Sequence, residues 1–112
     1  MILNKYLVNY NDTIEDVISK ILINSRRTVL VIKKKKIVGT ITEGDILRSL
    51  LVKKNLKALA DKIMNKSFKY LYLKKDLKKS KDLFLKFNLN ILPVLNKKFQ
   101  LLDIIILEDI LQ

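Results

Sequence analysis

Thr42 and Asp45 stand three residues apart, where the apolar run Gly39-Thr40-Ile41-Thr42 gives way to a helical pattern. A hydroxyl at a helix N-cap and a carboxylate at the third helical position make a capping box, each satisfying a free backbone amide. That end of a helix also favours anionic groups nearby, so capping and ligand contact are both open for this pair. Arg26-Arg27, ahead of another apolar run, and the four lysines 33–36 are further charged clusters. Each reads either as solvated loop charge or as an anion contact. Catalysis has little to work with. The 112 residues include no His and no Cys, which removes imidazole bases, Ser-His-Asp triads, cysteine nucleophiles, disulfides and the usual zinc sites. Neither paired carboxylates in one motif, nor a nucleophile–base pair, nor a P-loop is present. The chain reads as a non-enzyme with no required cofactor.

The balance of 23 Lys+Arg against 11 Asp+Glu gives a formal charge of +12. Such a charge favours nucleic acid, anionic lipid or phosphorylated small molecules. It is also what a Lys-, Ile-, Leu- and Asn-rich composition produces by drift, and the lysines are scattered over most segments. With 49% hydrophobic residues the chain should pack. No signal-peptide pattern is visible, and no apolar run approaches the roughly 18 residues of a membrane span. The expectation is a soluble, cytoplasmic protein.

Two kinds of period position these residues. Ile14, Val17, Ile18, Ile21 and Leu22 make an apolar stripe of helical spacing after Thr13. Thr28-Val29-Leu30-Val31-Ile32 and Ile37-Val38-Gly39-Thr40-Ile41 read as strands around the lysine turn, apolar enough for burial on both faces. A short first strand falls at 6–8, and a second helix over 43–53 turns Ile46, Leu47, Leu50 and Leu51 inward. After a polar connector and a short helix through Ile63-Met64, the pattern restarts. A strand is expected at 68–73, a helix after Asp76 with Phe84 and Phe87 in its core, strands at 91–95 and 99–106, and a helix from 107.

This is an internal repeat. Placing Asp109 on Asp45 sets an offset of 64 residues, with Val94-Leu95 on Leu30-Val31; the first helices align at 63, so one residue enters the intervening loop. The repeats are taken as 1–57 and 58–112. Each is an α+β unit of order β-α-β-β-α, too small to be stable alone. The two should pack sheet against sheet with pseudo-twofold symmetry.

Gly39-Thr40-Ile41-Thr42-Glu43-Gly44-Asp45-Ile46-Leu47-Arg48 resembles the signature of CBS (cystathionine-β-synthase) domains. Asp61-Lys62-Ile63-Met64 is similar to that family's connector into a new copy, and Leu92-Pro93-Val94 to its apolar-Pro-Val strand. The resemblance spans about residues 4–112 as a tandem pair. It implies a regulatory module that binds an adenosine-containing ligand, AMP, ADP, ATP or S-adenosylmethionine, in a cleft between the repeats. Thr42 and Asp45 would then hold the ribose, because a carboxylate offers acceptors to two vicinal hydroxyls. Arg27 occupies the place of a phosphate-meeting basic residue, and Leu92, Pro93 and Val94 would face the base. In the second repeat Asp103 replaces the Gly and Ile106 the Thr, so one ligand per chain is expected.

The resemblance also implies a homodimer and an attached or partner effector. In style the chain is similar to pairs that precede sugar-nucleotidyltransferase domains, and its last helix reads as cut short. The competing readings are a degenerate pair serving only as a dimerisation scaffold, and a basic nucleic-acid-binding protein. Dispersed lysines and the lack of a nucleic-acid motif weigh against the second.

Overall fold

In a computed structural model of the chain, which describes residues 2–111, each repeat builds its own three-stranded sheet. Two compact units result, Met1–Phe68 and Lys69–Gln112. The first runs through β1 (Leu7–Asn9), α1 (Ile14–Asn24), β2 (Thr28–Lys33), β3 (Lys36–Thr42), α2 (Glu43–Lys53) and α3 (Ala60–Ile63). The second runs through β4 (Leu71–Tyr72), α4 (Leu77–Phe87), β5 (Ile91–Leu95), β6 (Leu101–Ile106) and α5 (Leu107–Ile110). In both sheets the middle strand pairs parallel to the first and antiparallel to the last. The fold is α+β, as the repeat pattern indicated.

Helix α1 starts on a complete capping box: Thr13 N–H donates to Asp16 Oδ2 at 2.9 Å, and Asp16 N–H to Thr13 Oγ1 at 3.3 Å. Ile14, Val17 and Ile21 then bury against Val29, Val31, Ile41 and Ile46. The predicted stripe is too wide. Leu22 is 75% exposed, because it lies roughly 100° round the helix from the buried row. On α2 the same geometry buries Ile46 and half-buries Leu50, while Leu47 and Leu51, expected inside, stand 56% and 79% exposed. Phe84 is core, but Phe87 is 40% exposed beneath the ammonium groups of Lys69 and Lys86.

The repeat is closer than the sequence alignment suggested, and its extra residue sits elsewhere. Thr28 pairs with Thr42 and Ile32 with Ile37 in the first hairpin; Ile91 pairs with Ile106 and Leu95 with Leu101 in the second. The first helices and both middle strands therefore correspond at 63, and only β6 and α5 at 64. Val94-Leu95 answers to Val31-Ile32, and both ladders carry a bulge at that step. The inserted residue lies in the second hairpin turn. The first turn is tight, with Lys34 and Lys35 both left-handed at φ 51° and 66°, the backbone of a two-residue hairpin that usually takes Asn-Gly. The second uses Asn96 as a hub for the Lys98 and Gln100 amides, with Phe99 left-handed at φ 61°. That turn is why β6 begins at Leu101 rather than at 99.

The connector belongs with the first unit. Ala60 N–H donates to Asp12 O at 2.7 Å and Asp61 N–H to Tyr10 O at 3.0 Å. Asn65 then pairs with Thr40 through both of its backbone groups, at 2.8 and 3.1 Å, so the chain after α3 extends the edge of β3. The compact units accordingly divide at 68/69, past the repeat boundary taken from the pattern. Strand pairing in 68–73 is confined to Leu71 and Tyr72. Their short reach suits Pro93, which lies in a middle strand without an N–H to give: β4 pairs only with Val94 and Leu95.

Candidate functional site

Thr42 ends β3 and is at once the N-cap of α2, so one residue carries the chain from sheet to helix. Its extended backbone (φ −100°, ψ 164°) turns the hydroxyl toward the first helical turn, where Asp45 N–H donates to Oγ1 at 3.2 Å. Asp45 Oδ2 accepts the Thr42 N–H at 2.9 Å. The capping alternative is therefore realised in full. It does not exhaust the carboxylate. Asp45 Oδ1 accepts from Arg48 Nη2 at 2.6 Å, and a carboxylate has about four acceptor positions. Two remain, on a side chain that is only 20% exposed and fixed at both oxygens.

Arg48 was not among the residues singled out from sequence, although its i,i+3 spacing from Asp45 is a recognisable signal. Its guanidinium folds back over Gly44, where an added Cβ would lie 3.3 Å from Nη1. A shallow cavity of about 280 Å³ opens beside Asp45, Arg48 and Ser49 and continues to Lys53 and Lys62. Its lining pairs one carboxylate and one hydroxyl with three cations, groups whose chemistry suits charge-assisted hydrogen bonds to phosphates and hydroxyls. Among the described residues no group of three or more His, Cys, Asp or Glu gathers to hold a metal ion.

Arg27 stands beside this pair in the fold. Its carbonyl accepts the Glu43 N–H at 2.9 Å, which ties the residue before β2 to the first turn of α2. Arg27 is left-handed, φ 60°, a conformation that costs an ordinary side chain and is retained here by the surrounding sheet. Its side chain is 76% exposed, with Nε 3.9 Å from Glu43 Oε2. Thr42, Asp45 and Arg27 thus share one end of the first sheet. Buried Asn24 braces that end: its Nδ2 donates to the carbonyls of Lys5 and Thr28, and its Oδ1 accepts the Arg26 N–H. Asn24 was missed in the sequence because an Asn inside an apolar helical stripe reads as a solvent position.

In the second unit Ile106 supplies no acceptor, and only the half of the box that Asp109 makes survives, Ile106 N–H to Oδ2 at 3.1 Å. Leu107 N–H donates to Asn90 O at 3.0 Å, repeating the Glu43–Arg27 contact. Asn90 thus takes the place of Arg27 there. Leu92, Pro93 and Val94 lie in a strand buried along its whole length.

Residues 2–52 match the family model described as CBS domain. No curated protein matches the chain in sequence. Among solved structures, a protein with CBS domains from Burkholderia ambifaria MC40-6 is 25% identical, with a TM-score of 0.79 over 95% of this chain and 79% of its own. Protein MJ1225 from Methanocaldococcus jannaschii is 20% identical, with a TM-score of 0.84 over 94% of this chain and 42% of its own. The CBS domain protein PAE2072 from Pyrobaculum aerophilum, complexed with AMP, is 20% identical with a TM-score of 0.78, over 92% and 80%. Other structures of this fold are complexes with ATP, for the cytosolic domain of the Mg2+ channel MgtE, and with 5′-methylthioadenosine and S-adenosylmethionine, for protein MJ0100.

Proposed function

We propose, from the premise that this chain is a CBS-domain pair, that it is a nucleotide-sensing regulatory module whose ligand contains adenosine. The carrying observation is the Thr42–Asp45 constellation: a half-buried carboxylate, oriented by the Thr42 amide and by Arg48, with acceptor positions left for a ribose diol. We assign Thr42 and Asp45 to the ribose and Arg27, at the same end of the sheet, to the phosphate. Leu92, Pro93 and Val94 keep the base-contacting role that the family resemblance gives them. The complexes of relatives with AMP, ATP and S-adenosylmethionine support adenosine as the common element. The second repeat, with Ile106 at the hydroxyl position, takes no ligand at Asp109. The module controls an attached or partner protein. No described helix is long and apolar enough to cross a membrane.

Titration calorimetry of AMP, ATP and S-adenosylmethionine against the wild type, Asp45→Asn and Asp109→Asn tests this. Losing a charged acceptor against a hydroxyl costs about 1.5–3 kcal/mol, so Asp45→Asn should weaken binding about tenfold or more. Asn keeps a carbonyl oxygen for the Thr42 amide, so the melting temperature should move little. Asp109→Asn should leave affinity unchanged. Wild-type affinity in Asp45→Asn would reduce the pair to a helix cap. Homodimerisation through α2 is part of the same reading, because Leu47, Leu51 and Val52 stand 56%, 79% and 79% exposed on one helix; a monomeric mass by sedimentation at high micromolar concentration would remove it.

A further inference from the structure

The other end of the first sheet carries a second concave site, about 13 Å along β3 from Thr42 at roughly 3.3 Å per residue. It encloses about 520 Å³ over an apolar floor of Val38 and Met64. Lys33, Lys62 and Lys66 line it, with Tyr10 and Asp61. Three elements hold it together: the end of β1, the β2–β3 hairpin, and the connector pinned to both by the Asp61–Tyr10 and Asn65–Thr40 hydrogen bonds. Gly39 makes the floor possible, since any Cβ there would meet Met64 Sδ at 2.6 Å.

Two features of this end go unexplained by the fold. Asp61 Oδ1 is buried without a hydrogen-bond partner, although lysines line the same cavity, and such an orphan calls for an explanation. The adjoining turn places four lysines in succession, two of them left-handed, where Asn-Gly would remove both strain and repulsion. The fold is carrying positive charge at a position that local stability disfavours.

We propose that this cavity is a second ligand site, taking a small phosphorylated molecule of nucleotide size. Its phosphates are held by the ammonium groups of Lys33, Lys62 and Lys66, which act as point charges. A hydroxyl or amino group on its body donates to the Asp61 carboxylate. The volume lies in the range of small-molecule pockets. A bare polyphosphate satisfies the lysines but meets repulsion from Asp61, and a continuous nucleic-acid backbone does not enter a concave site with an apolar floor. The site shares Lys62 with the cavity beside Asp45 but contains none of Thr42, Asp45 and Arg27, and Lys33 and Lys66 belong to it and not to that cavity.

ATP, with inorganic triphosphate as control, tests the proposal by calorimetry on the full chain. In an Asp45→Asn background, which weakens the first site about tenfold or more, ATP should still bind at the second with unchanged affinity. Adding Lys33→Ala with Lys66→Ala should weaken that binding tenfold or more, with the fold checked by circular dichroism. Adding Asp61→Asn instead should weaken ATP binding and leave triphosphate binding equal or stronger. Loss of all ATP binding in Asp45→Asn alone would overturn the second site while upholding the first. Lysine variants that bind ATP as their parent does would overturn it as well, as would triphosphate binding as tight as ATP.

Discussion

Replacing Gly39 with Ala places a methyl group 2.6 Å from Met64 Sδ, 2.8 Å from Cγ and 3.0 Å from Cβ. The thioether end could swing away, but Cβ is fixed to a backbone that Asn65 ties to Thr40 by two hydrogen bonds. Relief therefore follows one of two routes. Met64 leaves its packing against the core, an overpacking cost of about 1–3 kcal/mol; or the connector lifts from β3 and loses two hydrogen bonds of about 0.5–1.5 kcal/mol each. Either gives about 2 kcal/mol. With an unfolding entropy near 2.1 cal/mol/K per residue, a 112-residue chain should lose about 8 °C of melting temperature. Thermal melts by circular dichroism on Gly39→Ala, Met64→Ala and the double variant are the assay. The double variant should be more stable than the two separate losses predict, because the clash exists only when both side chains are present. Asp103→Ala, at the corresponding position of the second unit, meets no such clash; it removes a half-exposed pair with Lys75 and a hydrogen bond from the Ile104 amide, and should shift the melt by about 1 kcal/mol. A Gly39→Ala protein that melts with the wild type would refute the account of the connector.

Ile106→Thr restores the missing acceptor at the start of α5 and should stabilise the second unit by about 0.5–1 kcal/mol, seen as a raised melting midpoint. Asn24→Ala strips hydrogen bonds from the carbonyls of Lys5 and Thr28 and the Arg26 amide, and should cost about 1–3 kcal/mol by denaturant titration. The Thr13 backbone amide, and then its hydroxyl, hold the Asp16 carboxyl below the ordinary aspartate range. That stabilisation is present above the unfolded-state pKa and is lost as pH falls through the lowered folded value. Melts taken across the acid range should fall less steeply for Asp16→Asn than for the wild type.

Much of the fold was legible because the signals were local. Thr13-x-x-Asp16 and Thr42-x-x-Asp45 mark helix starts whatever surrounds them, and β-branched runs around a turn mark hairpins. Leu22, Leu47 and Leu51 misled because periodicity counts apolar residues without knowing how wide a face a three-stranded sheet can cover. The inserted residue was misplaced because the spacing of apolar residues tolerates a shift of one, whereas strand pairing does not. At the site, type and spacing marked Thr42 and Asp45 as a helix cap, whereas their ribose role and the phosphate role of Arg27 rest on the family resemblance. Arg48 was overlooked because its role depends on a side chain doubling back over Gly44, and Asp61 because an orphaned oxygen exists only in three dimensions.

The contact from Glu43 N–H to Arg27 O, matched by Leu107 N–H to Asn90 O, closes each strand–turn–strand ribbon into a ring at its base. The two ends of the ribbon cannot separate without breaking a bond that also belongs to the first turn of the following helix. Opening is therefore cooperative over strand, turn and helix start, and the amide protons of Glu43 and Leu107 should exchange with solvent only when that whole segment opens. They are built-in reporters. A molecule settling on Thr42 and Asp45 should slow exchange at Glu43 and leave Leu107 unchanged, so two amides in one spectrum distinguish occupancy of the first repeat from general stiffening of the chain.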